Sequence, residues 1–179
     1  MKQEYKIISS KQDLSEKDKS KKITYLIDAD EKTIRSVIAS IKDKQIKNKQ
    51  IAVYGRDNIF NRRVLETCKI DILISPERDL KHERKDSLKQ RDSGLNHVIA
   101  KIATKNKASV AIDFADIKNT PDQKQLAKRL ARIMQNIKIC RKAKTKIIIL
   151  DMSGKATKQE IQALGFSLGM SSQQVSESI

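Results

Sequence analysis

Hydrolysis of a phosphodiester needs a water activated by a metal or a base, and this chain carries few groups for either. It has two histidines, His82 and His97. Neither belongs to a His-x-His pair. His82 sits in a run of charges and His97 falls on a helical pattern away from its apolar residues, so a multinuclear metal site lacks ligands. The other candidates are polar residues at the carboxyl ends of apolar runs: Asp28, Arg56, Ser75, Asp113 and Asp151. The carboxylates Asp28, Asp113 and Asp151 around a cation would make a free-standing metal-dependent phosphoesterase, which is the second reading. Solvated carboxylates at loop starts are the commoner use of such residues.

Nucleophilic chemistry finds little more. Ser93-Gly94 is not a nucleophile elbow, and the expected role of Ser93 is to cap the helix that follows. Ser153-Gly154-Lys155 lacks the Gly-x-x-x-x-Gly-Lys spacing of a P-loop and reads as a plain turn. Cys68 and Cys140 stand alone on separate helical patterns, without the close pairs that zinc sites use, and read as buried free thiols of a reducing cytosol. No catalytic residue, metal ligand or bound cofactor is assigned to this chain.

Charge is the stronger signal. The 38 Lys and Arg outnumber the 22 Asp and Glu, for a net charge of +16 and a pI near 9.9. That excess favours a polyanionic partner and says nothing of the fold. Nucleic acid leads, because phosphate neutralisation with counterion release supplies most non-specific affinity. Aromatic residues make up 3% of the chain, with no Trp, which argues against stacking on unpaired bases and for backbone and shape contacts. The amino terminus has no apolar signal run and no segment approaches the ~18 apolar residues of a membrane span. A cytoplasmic protein without membrane contact is expected.

Two basic elements stand out. Asp122 to Lys144 reads as a helix with Leu126, Leu130, Ile133, Ile137 and Cys140 on one face. Lys124, Lys128 and Arg132 recur at i, i+4 and i+8 on the other. Like charges so spaced repel, and no acid interleaves, which makes these three candidate RNA contacts. The second element is a helix over Gly94 to Lys105. Leu95, Val98, Ile99 and Ile102 share its apolar face, while His97 and Lys101 project from the other side. A solvated face is the default use of such residues, and Arg91, just before the helix, adds a cation where the helix dipole already attracts anions. Between Glu77 and Gln90, a charged loop reads as a flexible insert.

Positioning these residues requires a scaffold. Apolar runs near Ile23–Ile27, Ile51–Tyr54, Ile70–Ile74, Ser109–Phe114 and Lys146–Leu150 predict strands, with Tyr5–Ile8 as a sixth candidate. Helical patterns near Glu31–Asp43, Ile59–Cys68, Gly94–Lys105, Asp122–Lys144 and Lys158–Leu168 alternate with them. Alternation of this kind predicts βα units on a parallel sheet, and leaves a doubly wound sheet and a barrel both open. In a barrel, Val110 and Ile112 would meet the helices and Asp113 would point inward. A single domain over 23–179 is expected, preceded by a flexible basic segment over 1–22.

The run Arg91-Asp92-Ser93-Gly94-Leu95-Asn96-His97-Val98-Ile99-Ala100-Lys101 resembles the signature of archaeal ribonuclease P protein component 3, relatives of the thirty-kilodalton nuclear ribonuclease P subunit. Asn61-Arg62-Arg63-Val64-Leu65-Glu66 with Ile70-Asp71-Ile72-Leu73 upstream, and Ser153-Gly154 with Leu168-Gly169-Met170 downstream, are similar to the family in order and spacing. The resemblance spans roughly residues 50 to 175 and, because it includes Asn96, His97 and Lys101, implies Arg91 and Lys101 as RNA-binding candidates and Asn96 and His97 as contacts to RNA or a protein partner. It implies a TIM-barrel-like (β/α) fold, here incomplete at the amino end. It also implies an RNA-binding subunit of the ribonucleoprotein that removes the 5′ leader of precursor tRNA. The implied partners are ribonuclease P RNA, protein component 2 and the other ribonuclease P proteins, with precursor tRNA met indirectly. Catalysis, and the Mg²⁺ it uses, would belong to the RNA.

Overall fold

In the computed structural model the described residues are 4–10, 13, 23–43, 49–78, 86–87 and 90–178. His82 and most of the 77–90 loop lie outside them, as does most of the 9–22 segment. Six strands form one all-parallel sheet: β1 (Glu4–Ile8), β2 (Ile23–Ile27), β3 (Lys49–Tyr54), β4 (Ile72–Ile74), β5 (Ser109–Asp113) and β6 (Ile147–Leu150). Their spatial order is their chain order, β1 to β6. A doubly wound sheet reverses its order at a switch point; here no reversal occurs, so each crossover of one hand returns its helix to the same face. Because β1 pairs with β2 from Glu4↔Ile23 to Ile8↔Ile27, the sheet begins inside the 1–22 segment that the sequence reading sets apart.

The seven helices among the described residues are α1 (Glu31–Asp43), α2 (Asn58–Thr67), α3 (His97–Lys105), α4 (Phe114–Lys118), α5 (Gln123–Ala143), α6 (Lys158–Ser167) and α7 (Ser172–Ser176). The period-2 alternation of the strands divides the interior. Tyr25, Val53, Leu73, Val110, Ile112 and Ile149 meet helix residues such as Ile34, Val37, Ile99 and Ile133 in the main core. Leu26, Ala52, Ile72, Ile74, Ala111 and Leu150 form a smaller cluster of strand residues on the opposite face. Strand β2 is buried at all five positions, as expected where a parallel sheet is covered on both sides.

The sheet curls. Six flat strands would set β1 about 24 Å from β6 at ~4.8 Å per neighbour. Yet Tyr5 of β1 packs against the same smaller cluster that holds Leu150 of β6. Its hydroxyl is raised above the ordinary value by burial and then by the charges of Asp151 and Asp113, which follow β6 and end β5. No ladder joins β1 to β6 among the described residues. Near its outer edge β6 is met by the chain's end, where the Ile149 amide donates to Ser178 Oγ at 3.1 Å.

Two short helices escaped the periodicity. Phe114, read as strand, opens α4, because the Asp113 carboxylate accepts from the Ala115 and Asp116 amides and turns the chain. The five-residue α7 follows a capping box between Ser171 and Gln174.

Candidate nucleic-acid and partner interface

The resemblance-bearing run 91–96 is an extended strap laid across α5 and the start of α2. Its cap differs from the expectation: Asn96, not Ser93, opens α3, its Oδ1 accepting from the Ile99 amide at 2.9 Å. Ser93 is buried; its hydroxyl donates to the Leu95 carbonyl and accepts from Gln135 Nε2 at 3.0 Å. Gln135 also pairs with both backbone groups of Arg91, at 2.9 Å each. Asn136 Nδ2 donates to the Ser93 carbonyl at 3.2 Å.

Gly94 has φ +69°, and a Cβ there would lie 1.8 Å from the Pro76 carbonyl oxygen. Only glycine allows three loops to cross at this point. Gly55 is tight against the same proline, its added Cβ falling 2.6 Å from Pro76 Cα. The fully buried Asn61 ties the crossing together. Its Oδ1 accepts from the Arg56 amide at 2.7 Å, and its Nδ2 donates to the carbonyls of Arg56 and Gly94 at 2.8 Å each. These are the roles of the asparagine in Asn61-Arg62 and the glycine in Ser93-Gly94: they hold the frame. Sequence reasoning marked both motifs without their task, because the contact joins residues 33 apart.

The expected surface of Arg91, Asn96, His97 and Lys101 is divided. Arg91 belongs with α5, its guanidinium 3.7 Å from Asp86. Asn96 is engaged in its cap. His97 and Lys101 are exposed on α3, one turn apart as expected. Val98, assigned to the apolar face, is 54% exposed; Ile99, Ala100 and Ala103 form the buried face instead.

Helix α5 carries the larger correction. Lys124 and Lys128 are exposed, but Arg132 is buried at 7%, with Nε 3.2 Å from Asp86 Oδ1. Acids absent from the helix arrive from elsewhere in the chain. Arg129 reaches Asp116 at 2.8 Å, the fully buried Glu77 at 3.4 Å and Ser75 Oγ at 3.3 Å. Arg141 donates to the Gly169 carbonyl and to Gln174 Oε1. At 100° per residue, Lys138 and Lys142 fall on the same stripe as Lys124 and Lys128, and both are exposed.

The strand-end ring is occupied by its own side chains. Asp28 meets Arg78 at 3.1 Å and Arg56 at 3.5 Å, and Arg78 in turn lies 3.7 Å from Asp116. The Arg78 guanidinium stacks over the Tyr54 ring at 4.7 Å. As anticipated for a curled sheet, Asp113 points inward, its carboxylate accepting from Tyr54 Oη at 3.3 Å. Burial first, then Asp113, pushes the Tyr54 hydroxyl up to about 12, and burial raises Asp113 itself. Asp151 is pushed up by burial, but hydrogen bonds from Ser153 and the Ala156 amide outweigh this and hold its carboxyl below the ordinary value. Ser75 stands at φ +44°, its hydroxyl accepting from the Asp113 amide and from Arg129. Among the described residues, no group of three His, Cys, Asp or Glu is placed to hold a metal ion.

Cys68 and Cys140 are both free and buried, as expected; burial raises the Cys140 thiol to about 12. No helix among the described residues is long and apolar enough to cross a membrane.

The chain matches no protein-family model. It is 31% identical over 108 residues to a Methanococcus maripaludis protein named Ribonuclease P protein component 3, the match covering 59% of this chain and 42% of that protein. A Methanocaldococcus jannaschii protein of the same name is 28% identical over 110 residues, covering 60% of this chain and 43% of the relative. The chain thus spans under half the length of these curated relatives. Among solved structures, a chain in the cryo-EM structure of archaeal Ribonuclease P with mature tRNA superposes with a TM-score of 0.67 at 18% identity, over 97% of this chain and 78% of that one. That likeness is one of fold.

Proposed function

We propose that this chain is an RNA-binding protein subunit of a ribonuclease P, acting in the 5′ maturation of tRNA. The observation that carries the reading is the match of about 30% identity to proteins named Ribonuclease P protein component 3. The geometry supports a binding role over a catalytic one. The strand-end carboxylates are engaged by arginines, helix amides and a tyrosine, whereas Lys124, Lys128 and Lys101 stand exposed on the helical face.

In this reading phosphates of the ribonuclease P RNA take up the cations of α5 and α3, and the frame around Gly94 and Asn61 holds Arg91 against α5. Protein component 2 and the other ribonuclease P proteins complete the assembly, and precursor tRNA is met through it. The RNA performs the cleavage with its own Mg²⁺.

The test is reconstitution with precursor tRNA at millimolar Mg²⁺. The purified chain alone is expected to give no cleavage. Adding ribonuclease P RNA and component 2 should give 5′ processing that depends on this chain. Turnover by the RNA-free protein would overturn the reading and favour the metal-dependent phosphoesterase.

A further inference from the structure

We propose that the first turns of α2 and α3 form a docking site for a protein chain presenting aliphatic and acidic side chains, separate from the RNA-contacting cations of α5. Two large apolar residues stand in water here: Ile59 is 65% exposed and Val98 54%. Each is the second residue of its helix, directly after Asn58 and His97. The two helices come from successive βα units and run parallel. Axes about 8–10 Å apart therefore set these side chains about one helix width from each other.

Beside Ile59 lies a groove of about 420 Å³ lined by Asn58, Ile59, Arg62, Arg63 and Glu66 of α2 with Asn96 and Ile99 of α3. One turn below the apolar pair runs a basic band. Arg62 and Arg63 follow Ile59 at i+3 and i+4, and both are exposed. Arg62 is paired with Glu66 at 2.8 Å, while Arg63 has no ion pair among the described residues. Both helix amino termini add partial positive charge on this side.

An apolar centre with a charged rim is the anatomy of a protein interface. A ribose-phosphate backbone would satisfy the cations and leave Ile59 and Val98 without an apolar partner. An aromatic platform for unstacked bases is not offered by the nearby Phe60, which is partly buried with its ring already facing Arg56 at 4.9 Å. Charge complementarity selects carboxylates around the partner's aliphatic side chains.

The inference rests on the ribonuclease P reading only for the choice of probes. The full chain is titrated calorimetrically with each purified protein subunit of an archaeal ribonuclease P, and separately with ribonuclease P RNA. The double variant Ile59→Ser, Val98→Ser is expected to weaken one protein subunit's binding by about tenfold, the scale of losing a well-packed contact. RNA affinity and its salt dependence should stay at wild-type values. If melting shows the variant to be unfolded, Ile59→Thr with Val98→Thr keeps the β-branching and carries the same expectation. Lost RNA affinity with protein binding intact, or no change in either, would overturn the site. Wild-type binding to RNA but to no protein subunit would overturn it while leaving the ribonuclease P reading standing. Binding to neither would remove both.

Discussion

Arginines at the mouth of the curled sheet and cations on its outer helices are the same residue types put to opposite uses. At the mouth, Arg78 and Arg129 bridge Asp28, Asp116 and Glu77, so positive charge is matched by negative charge at short range. On the outer face Lys124, Lys128 and Lys101 are exposed. A matched network cancels its own field and attracts no distant polyanion, whereas unmatched exposed cations attract one. A net charge of +16 is thus a poor guide to where a polyanion would bind until the paired cations are set aside.

The largest effect should come from the frame that separates the two regions. Gly94→Ala forces a Cβ to within 1.8 Å of the Pro76 oxygen at φ +69°. Strain and overpacking together are expected to cost about 3 to 5 kcal/mol. Urea denaturation measures this, and a loss under ~1 kcal/mol would mean the crossing loops relax freely.

Next comes the mouth. Arg129→Met removes one guanidinium from both the Glu77 carboxylate, 1% exposed, and Asp116, at an expected cost of about 3 kcal/mol. RNA affinity should hold at temperatures where the variant stays folded. A fall in RNA binding without destabilisation would merge the two regions and break the comparison.

On α5 the division runs within one helix. Lys124→Glu with Lys128→Glu should leave stability within about 0.5 kcal/mol while weakening RNA binding and reducing the salt slope by about 0.7 to 0.9 per lost phosphate contact. Arg132→Ala is expected to do the converse, destabilising by about 2 kcal/mol as Asp86 loses a buried partner, with little change in salt slope. Equal behaviour of the three substitutions would restore the single basic stripe of the sequence reading.

The smallest effect concerns Asp113, whose carboxyl is raised, chiefly by burial, above its ordinary value of 3.8. A raised acid makes the folded state bind its proton more tightly, so this contribution to stability is present below the unfolded value and lost as pH rises through the folded one. Asp113→Asn, which can still cap α4, should stabilise by about 1 kcal/mol or less at pH 7. Melting curves at pH 7 and pH 3 should show the gain shrink with acid; a constant gain would assign it to something other than charge.

Strand and helix positions were legible because side-chain period follows local geometry. Ile23–Ile27 appears as expected, and α1 buries Ile34, Val37, Ile38 and Ile41 at helical spacing. The inward turn of Asp113 was legible for the same reason. Phe114 was not, since it continues an apolar alternation and becomes helical only because the preceding carboxylate caps it.

What the sequence determined by itself was the order of βα units, the basic excess, and motifs whose resemblance points toward ribonuclease P. Tertiary structure alone decided which cations are free. Arg132 and Lys128 differ little in their helical surroundings, yet Asp86, 46 residues away, takes up Arg132 and nothing comparable reaches Lys128 among the described residues. It also decided that Asn61 and Gly94 serve the frame and that Val98 faces water. Local patterns record the periodicity of burial, while charge pairing and loop crossings depend on which distant segments the folded chain brings within a few ångströms.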